Sequence, residues 1–152
     1  MEARMTHPVY VVPAALSALQ AYSHAADGLG VSRETLELVH LRASQINGCS
    51  VCVELHSHAL RKEGAGDDKL ATVTAWRDAP YFSAAERAAL ELTEAVTRVA
   101  DRGDPVGDEV WTEVTDHYDD QGVTALLIAI TSVNVWNRLN AATRQPAGAW
   151  KP

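Results

Sequence analysis

Two cysteines, a histidine and a glutamate within one short stretch carry the chemistry open to this chain. Cys49 and Cys52 are its only cysteines; His56 follows the second by four residues, and Glu37 precedes the first by twelve. A thiol becomes a strong nucleophile only as its thiolate, so a cysteine that reacts at neutral pH needs a base or a positive potential beside it. His56 can take that proton, directly or through a water, and Glu37 can fix the imidazole's orientation and stabilise its charged form. Attack on a peroxide oxygen would give a sulfenic acid on one cysteine. The other would condense with it to a disulfide, which an external dithiol must then reduce.

The elements that must position these groups follow from the local sequence. Asn47-Gly48 closes an apolar periodic run and signals a break, which predicts two helices meeting at a tight corner. On the second helix Cys49, Cys52 and His56 fall at i, i+3 and i+7 and share a face. Glu37 lies about ten residues before the corner and His56 about eight after it, so at roughly 1.5 Å per residue a helical hairpin sets them at similar heights. His40, three residues after Glu37, sits on nearly the same face and could reach the site as a supporting group, although a partly exposed histidine without a role also fits. His58 points away from His56, and Glu54 reads as a solvated carboxylate.

Residue chemistry alone leaves the attacking sulfur open. Cys49 is nearer the predicted helix N-terminus, where free amides and the dipole favour a thiolate. Cys52 is the one spaced to pair with His56. A rival reading of the same cluster is a metal-binding or redox-sensing module in which Cys49, Cys52 and His56 take Glu37 or His40 as a fourth ligand. Three donors from one continuous helix make an awkward tetrahedral set, so no metal is assigned. No cofactor is called for either.

Composition narrows the remaining classes. A chain of 152 residues suits a single domain able to bury a core, and its alanine and aliphatic content with few aromatics favours helices. A formal net charge of -7, with no basic cluster, argues against a nucleic-acid partner. Two cysteines do not make an extracellular disulfide framework. The run Val9–Leu19 is a poor signal segment, interrupted by Pro13, and no stretch reaches the roughly 18 uninterrupted apolar residues that span a bilayer. A cytoplasmic protein with no membrane partner is expected.

Along the chain, Pro13 opens a first helix that runs to Gly28-Leu-Gly30. Ser32 caps a second that ends at Asn47-Gly48, and the cysteine helix spans about Ser50 to Lys62. A short helix over Asp67 to Trp76 follows, then a long one opened by the capping-box pair Ser83 and Glu86 and continued through Val99. Asp108 to Tyr118 forms another, and Val123 to about Ala142 forms a last helix whose apolar first half should be the central element. The expected fold is all-α: one domain over 1–152, a compact bundle of about six to seven helices with a loosely ordered tail at 145–152.

The pattern Glu37-x11-Cys49-x-x-Cys52-x-x-x-His56, with Ser44, Asn47 and Gly48 inside it, resembles the alkylhydroperoxidase D-like branch of the carboxymuconolactone decarboxylase superfamily. Trp76-Arg77, Phe82-Ser83, Glu86-Arg87 and Val135-Trp-Asn-Arg138 extend the resemblance over about 32–144. It implies an all-helical homo-oligomer with antioxidant peroxidase activity, a peroxide as oxidant and an external dithiol as reductant. By position it implies Cys52 as the attacking thiol, Cys49 as the resolving thiol, His56 as base and Glu37 as its partner. One departure is visible: Val51 stands where the characterised peroxidases carry a second histidine.

Overall fold

The structure, a computed structural model, describes residues 2–101 and 103–148. Eight α-helices and no strand are present among them. A short α1 (Pro8–Val11) leads into α2 (Pro13–His24), with a proline in the first turn of each, where its missing N–H costs nothing. The central pair is α3 (Arg33–Asn47) and α4 (Ser50–Lys62). Then come α5 (Asp67–Thr72), α6 (Ala84–Thr97), α7 (Asp108–His117) and α8 (Asp120–Thr143).

The predicted caps are present. Ser32 accepts from the Thr35 amide, and Ser83 and Glu86 form a reciprocal capping box. Helix α1 is additional to the predicted helices, α8 begins at Asp120 rather than Val123, and three other boundaries differ. The predicted first helix stops at His24, short of the glycines; the Asp67–Trp76 helix gives way to a 3₁₀ turn over Val73–Ala75; and α6 ends at Thr97, with Val99 in another 3₁₀ turn. Short connections favour the tighter turn, which satisfies carbonyls left over at a helix end.

Helix α3 is the hub. It packs against α4, α6 and α8, so its two sides feed two apolar clusters. Leu36 and Val39 join Leu92, Leu126 and Ile130 in one; Leu38 and Leu41 join Leu60, Trp76 and Phe82 in the other. Helix α8 is long and apolar enough by composition to cross a membrane, yet more than half of its most apolar window is buried inside the bundle. Its predicted place as the central element in its first half is seen in Val123, Leu126, Ala129 and Ile130, all buried.

The start of the predicted loose tail is tied down. Gln145 donates to the Met5 carbonyl, the Ala147 amide donates to Ser50, and the Gly148 amide donates to Glu54 at 2.7 Å. Glu54, expected as a solvated carboxylate, is therefore half-buried and paired. Residues 149–152 of that tail lie outside the described residues.

Candidate active site

The corner between α3 and α4 is built by Gly48, whose φ of 67° lies in the left-handed region where a side chain is unfavourable. Its amide and that of Cys49 cap the end of α3 on Gln45 and Ser44 carbonyls. Cys49 is the N-cap of α4 and Cys52 its third residue, so both sulfurs belong to a turn whose amides lack helical acceptors. The two are joined as a disulfide, with Cα atoms 5.4 Å apart.

Folding back at the corner brings α3 alongside α4 and sets Glu37 opposite His56, as the matched heights predict. His56 Nδ1 and Glu37 Oε2 are 2.7 Å apart. The other Glu37 oxygen takes an ion pair from Arg33 at 2.8 Å. His40 completes the group: its ring centroid is 4.7 Å from that of His56, and its buried Nδ1 lies 3.8 Å from Glu37 Oε2, too long for a hydrogen bond. Glu37 is only 2 % exposed. Its burial is bearable because its three ion-pair partners, Arg33, His40 and His56, are cations or can become one.

Electrostatics prepare the pair for proton transfer. Burial pushes the Glu37 carboxyl up, but the facing imidazoles of His40 and His56 outweigh it and hold the group well below the usual carboxylate range. Burial lowers His56, more than its bond to Glu37 raises it, and the His40 charge lowers it further. His56 is thus a neutral imidazole with one nitrogen committed to a carboxylate, the state required of a base.

A pocket of about 260 Å³ opens on this corner, lined by Cys52, Leu55, His56, Trp136 and Asn140 and walled by Tyr10, Leu16 and Gln20 from the N-terminal helices. Cys52 lines it; Cys49 does not. The ligand set of the rival metal reading is divided here, since Cys49 and Cys52 are bonded to each other. Among the described residues, the ligand-type atoms within 4.8 Å of one another belong to Glu37, His40 and His56. His58 is exposed and Val51 fully buried.

Sequence reasoning missed the contribution of α8. Asn134, Asn137 and Asn140 recur every third residue in the second half of α8 and are all buried. Asn47, at the corner, donates to the side-chain oxygens of both Asn134 and Asn137 at 2.9 Å, and Asn137 donates to Ser44. Asn140 Nδ2 points at Cys52 Sγ, 3.2 Å away. A three-residue polar stripe on an apolar helix is the signal that would have revealed them.

The family model of the carboxymuconolactone decarboxylase family matches residues 13–95, a span that includes Glu37, His40, both cysteines and His56. The chain is 36 % identical to the uncharacterized protein YdfG of Bacillus subtilis over 112 residues, 74 % of this chain and 75 % of that one. It is 36 % identical to the uncharacterized protein YnjA of Escherichia coli over 110 residues, 72 % of this chain but 59 % of that one. Among solved structures it is similar to the Agrobacterium tumefaciens protein ATU0492, a protein of unknown function provisionally named an antioxidant defence protein AhpD. The TM-score is 0.88 at 29 % identity, covering 96 % of this chain and 98 % of that one. The debrominase Bmp8 shares the fold, with a TM-score of 0.81 at 20 % identity over 93 % of this chain and 75 % of that one.

Proposed function

Since this chain belongs to the carboxymuconolactone decarboxylase family, in its alkylhydroperoxidase D-like branch, we propose that it is a thiol-dependent peroxidase of antioxidant defence working through Cys49, Cys52, His56 and Glu37. The observation that carries this reading is the Glu37–His56 contact of 2.7 Å, beside a pocket that His56 shares with Cys52. In the reduced protein His56 takes the Cys52 proton. The thiolate attacks the outer oxygen of a hydroperoxide, the O–O bond breaks, and the leaving alkoxide or hydroxide is protonated by the His56 imidazolium. Cys52 becomes a sulfenic acid. Cys49 then attacks it, an S–S bond forms, and water departs.

An external dithiol returns both sulfurs to thiols and is itself oxidised. The choice of Cys52 as nucleophile rests on the pocket and on His56; the choice of Cys49 as resolving thiol rests on its place outside the pocket. His40 is assigned a supporting role through its contact with His56. We read the chain as a single-domain cytoplasmic protein that forms a homo-oligomer. Exposed Tyr10, Val11, Val12 and Tyr22 on the N-terminal segment and Val135 on α8 supply apolar surface for self-association.

Mass spectrometry of the reduced protein after one equivalent of peroxide, then after dihydrolipoamide or thioredoxin, tests the cycle. The expected result is a loss of two hydrogens at Cys49 and Cys52, reversed by the dithiol. In single variants, a sulfenic acid trapped in Cys49→Ser and absent in Cys52→Ser supports the assignment of roles. The opposite pattern overturns it.

A further inference from the structure

The reacting sulfur has a second polar neighbour that the Glu37–His56 pair does not account for. Asn140 and Cys52 are 4 % and 3 % exposed, and the Asn140 amide nitrogen is 3.2 Å from Sγ. A disulfide or thiol sulfur is a weak acceptor, whereas a thiolate is a strong one. A donor fixed here is therefore worth most when Cys52 carries charge, as attacking thiolate or as the sulfur released on reduction.

The orientation of that amide is set from the N-terminal segment. His7 is the N-cap of α1, where its Nδ1 accepts from the Val9 amide at 3.2 Å. An accepting Nδ1 leaves the proton of a neutral ring on Nε2. Burial, partly offset by Asn140, lowers the His7 pKa and keeps that neutral form. His7 Nε2 and Asn140 Oδ1 are both buried, and the Asn140 side chain acts on the His7 ring, which packs against Trp136 one helical turn before it on α8. Between the oxygen and the NH₂ of an amide, an Nε2–H selects the oxygen, since it can only donate. The NH₂ group is then turned toward Cys52.

His7 is itself wedged between aromatic rings, with centroids 6.0 Å from Tyr10 and 5.9 Å from Trp136, and is 3 % exposed. Both it and Asn140 lie outside the span matched by the family model. We propose that Asn140 is a catalytic hydrogen-bond donor to the Cys52 sulfur and that His7 is the positioning residue that keeps Asn140 in its donating orientation. The N-terminal segment thereby completes the thiol site. The proposal rests on the reading of Cys52 as the attacking thiol.

Its test needs no peroxide. In the Cys49→Ser protein, Cys52 ionisation is followed by thiolate absorbance and by the pH dependence of iodoacetamide alkylation. The groups around Cys52 that set this midpoint are His56 with Glu37 and His40 behind it, His7 through Asn140, and Tyr10 on the pocket wall. Asn140→Ala should raise the midpoint by roughly one unit, a tenfold loss of thiolate at lower pH. Asn140→Asp, isosteric and so least disturbing to the fold, replaces the donor by a carboxylate and should raise it further.

His7→Leu should produce part of the Asn140→Ala shift, and His7→Gln, which restores a donor, should reverse that part. In the Asn140→Ala background His7→Leu should add nothing. An unshifted midpoint in folded Asn140→Asp, or a His7 effect that persists without Asn140, overturns the proposal. If the low midpoint belongs instead to the cysteine left in Cys52→Ser, the assignment of the nucleophile fails, which is a separate outcome. Failure to turn over peroxide with the Asn140 shifts intact would overturn only the proposed activity.

Discussion

Glu37 and Glu94 are both buried carboxylates on central helices, and both are held ionised, yet their surroundings differ in kind. Glu37 faces two imidazoles and one guanidinium. Glu94 is clasped by Arg42 at 2.7 Å, Arg77 at 3.0 Å and Arg98 at 3.2 Å, with the Trp76 indole donating to it at 2.9 Å. Burial pushes the Glu94 carboxyl up, but the Trp76, Arg42 and Arg77 hydrogen bonds pull it down to about 2. Arginine does not surrender a proton in this pH range, so the Glu94 cluster can only hold helices together. Imidazoles do exchange protons, so the Glu37 cluster can work. The partner, more than the burial, separates a clasp from a relay.

The sharpest separation comes from removing each carboxylate. Glu94→Ala leaves the half-buried Arg42 and the buried Trp76 indole without their acceptor and should cost about 2–3 kcal/mol in urea unfolding, while the protein that remains folded keeps its rate of peroxide-driven disulfide formation within a factor of about two. Glu37→Gln should do the reverse: about a hundredfold slower disulfide formation in stopped flow, with helical content by circular dichroism retained. A Glu37→Gln protein of normal rate would break the comparison.

Acid should then resolve the two clusters. The folded-state pKa of Glu94 lies below its ordinary 4.5, so its contribution to stability is full above that value and is lost as pH falls toward about 2. Glu37 acts in the same direction. His56, lowered from 6.5, is favoured neutral, so acidification through its ordinary value already begins to destabilise. Urea midpoints measured from pH 7 to 2 should decline in these two stages, and the later stage should flatten in Glu94→Gln.

Smaller effects refine the picture. Trp76→Phe removes one donor from Glu94 and should cost about 1 kcal/mol without changing the rate. His40→Asn removes a like charge beside His56, so the acid limb of the rate profile should move to higher pH by less than one unit. A limb that stays in place would detach His40 from the relay.

The parts legible in the sequence are those fixed by local spacing. The Ser32 and Ser83 caps, the Asn47-Gly48 corner and the four-residue step from Cys52 to His56 depend on neighbours along the chain and are as read, whereas Cys49, expected on the same helical face, is the extended N-cap residue outside α4. The Glu37–His56 contact was accessible too, because one corner of known type relates the two helices. What escaped were pairings with no local signature. Asn140 meets Cys52 across 88 positions, and Arg42 meets Glu94 across 52. Apolar periodicity places α8 in the core but is blind to which asparagine on it faces a sulfur. His7 escaped because α1 is a single turn, shorter than periodicity can detect.

The corner also sets how the protein ages. In an Asn-Gly pair the small second residue lets its backbone nitrogen reach the asparagine side chain, and the resulting cyclisation discards the amide as ammonia. Here the Asn47 amide is anchored on Asn134 and Asn137, while the Gly48 nitrogen is turned to the Gln45 carbonyl. A carboxylate left at position 47 would face two side-chain oxygens that now accept from its amide. Deamidation at this one dipeptide therefore keeps a tally of how often the α3–α4 corner has come undone.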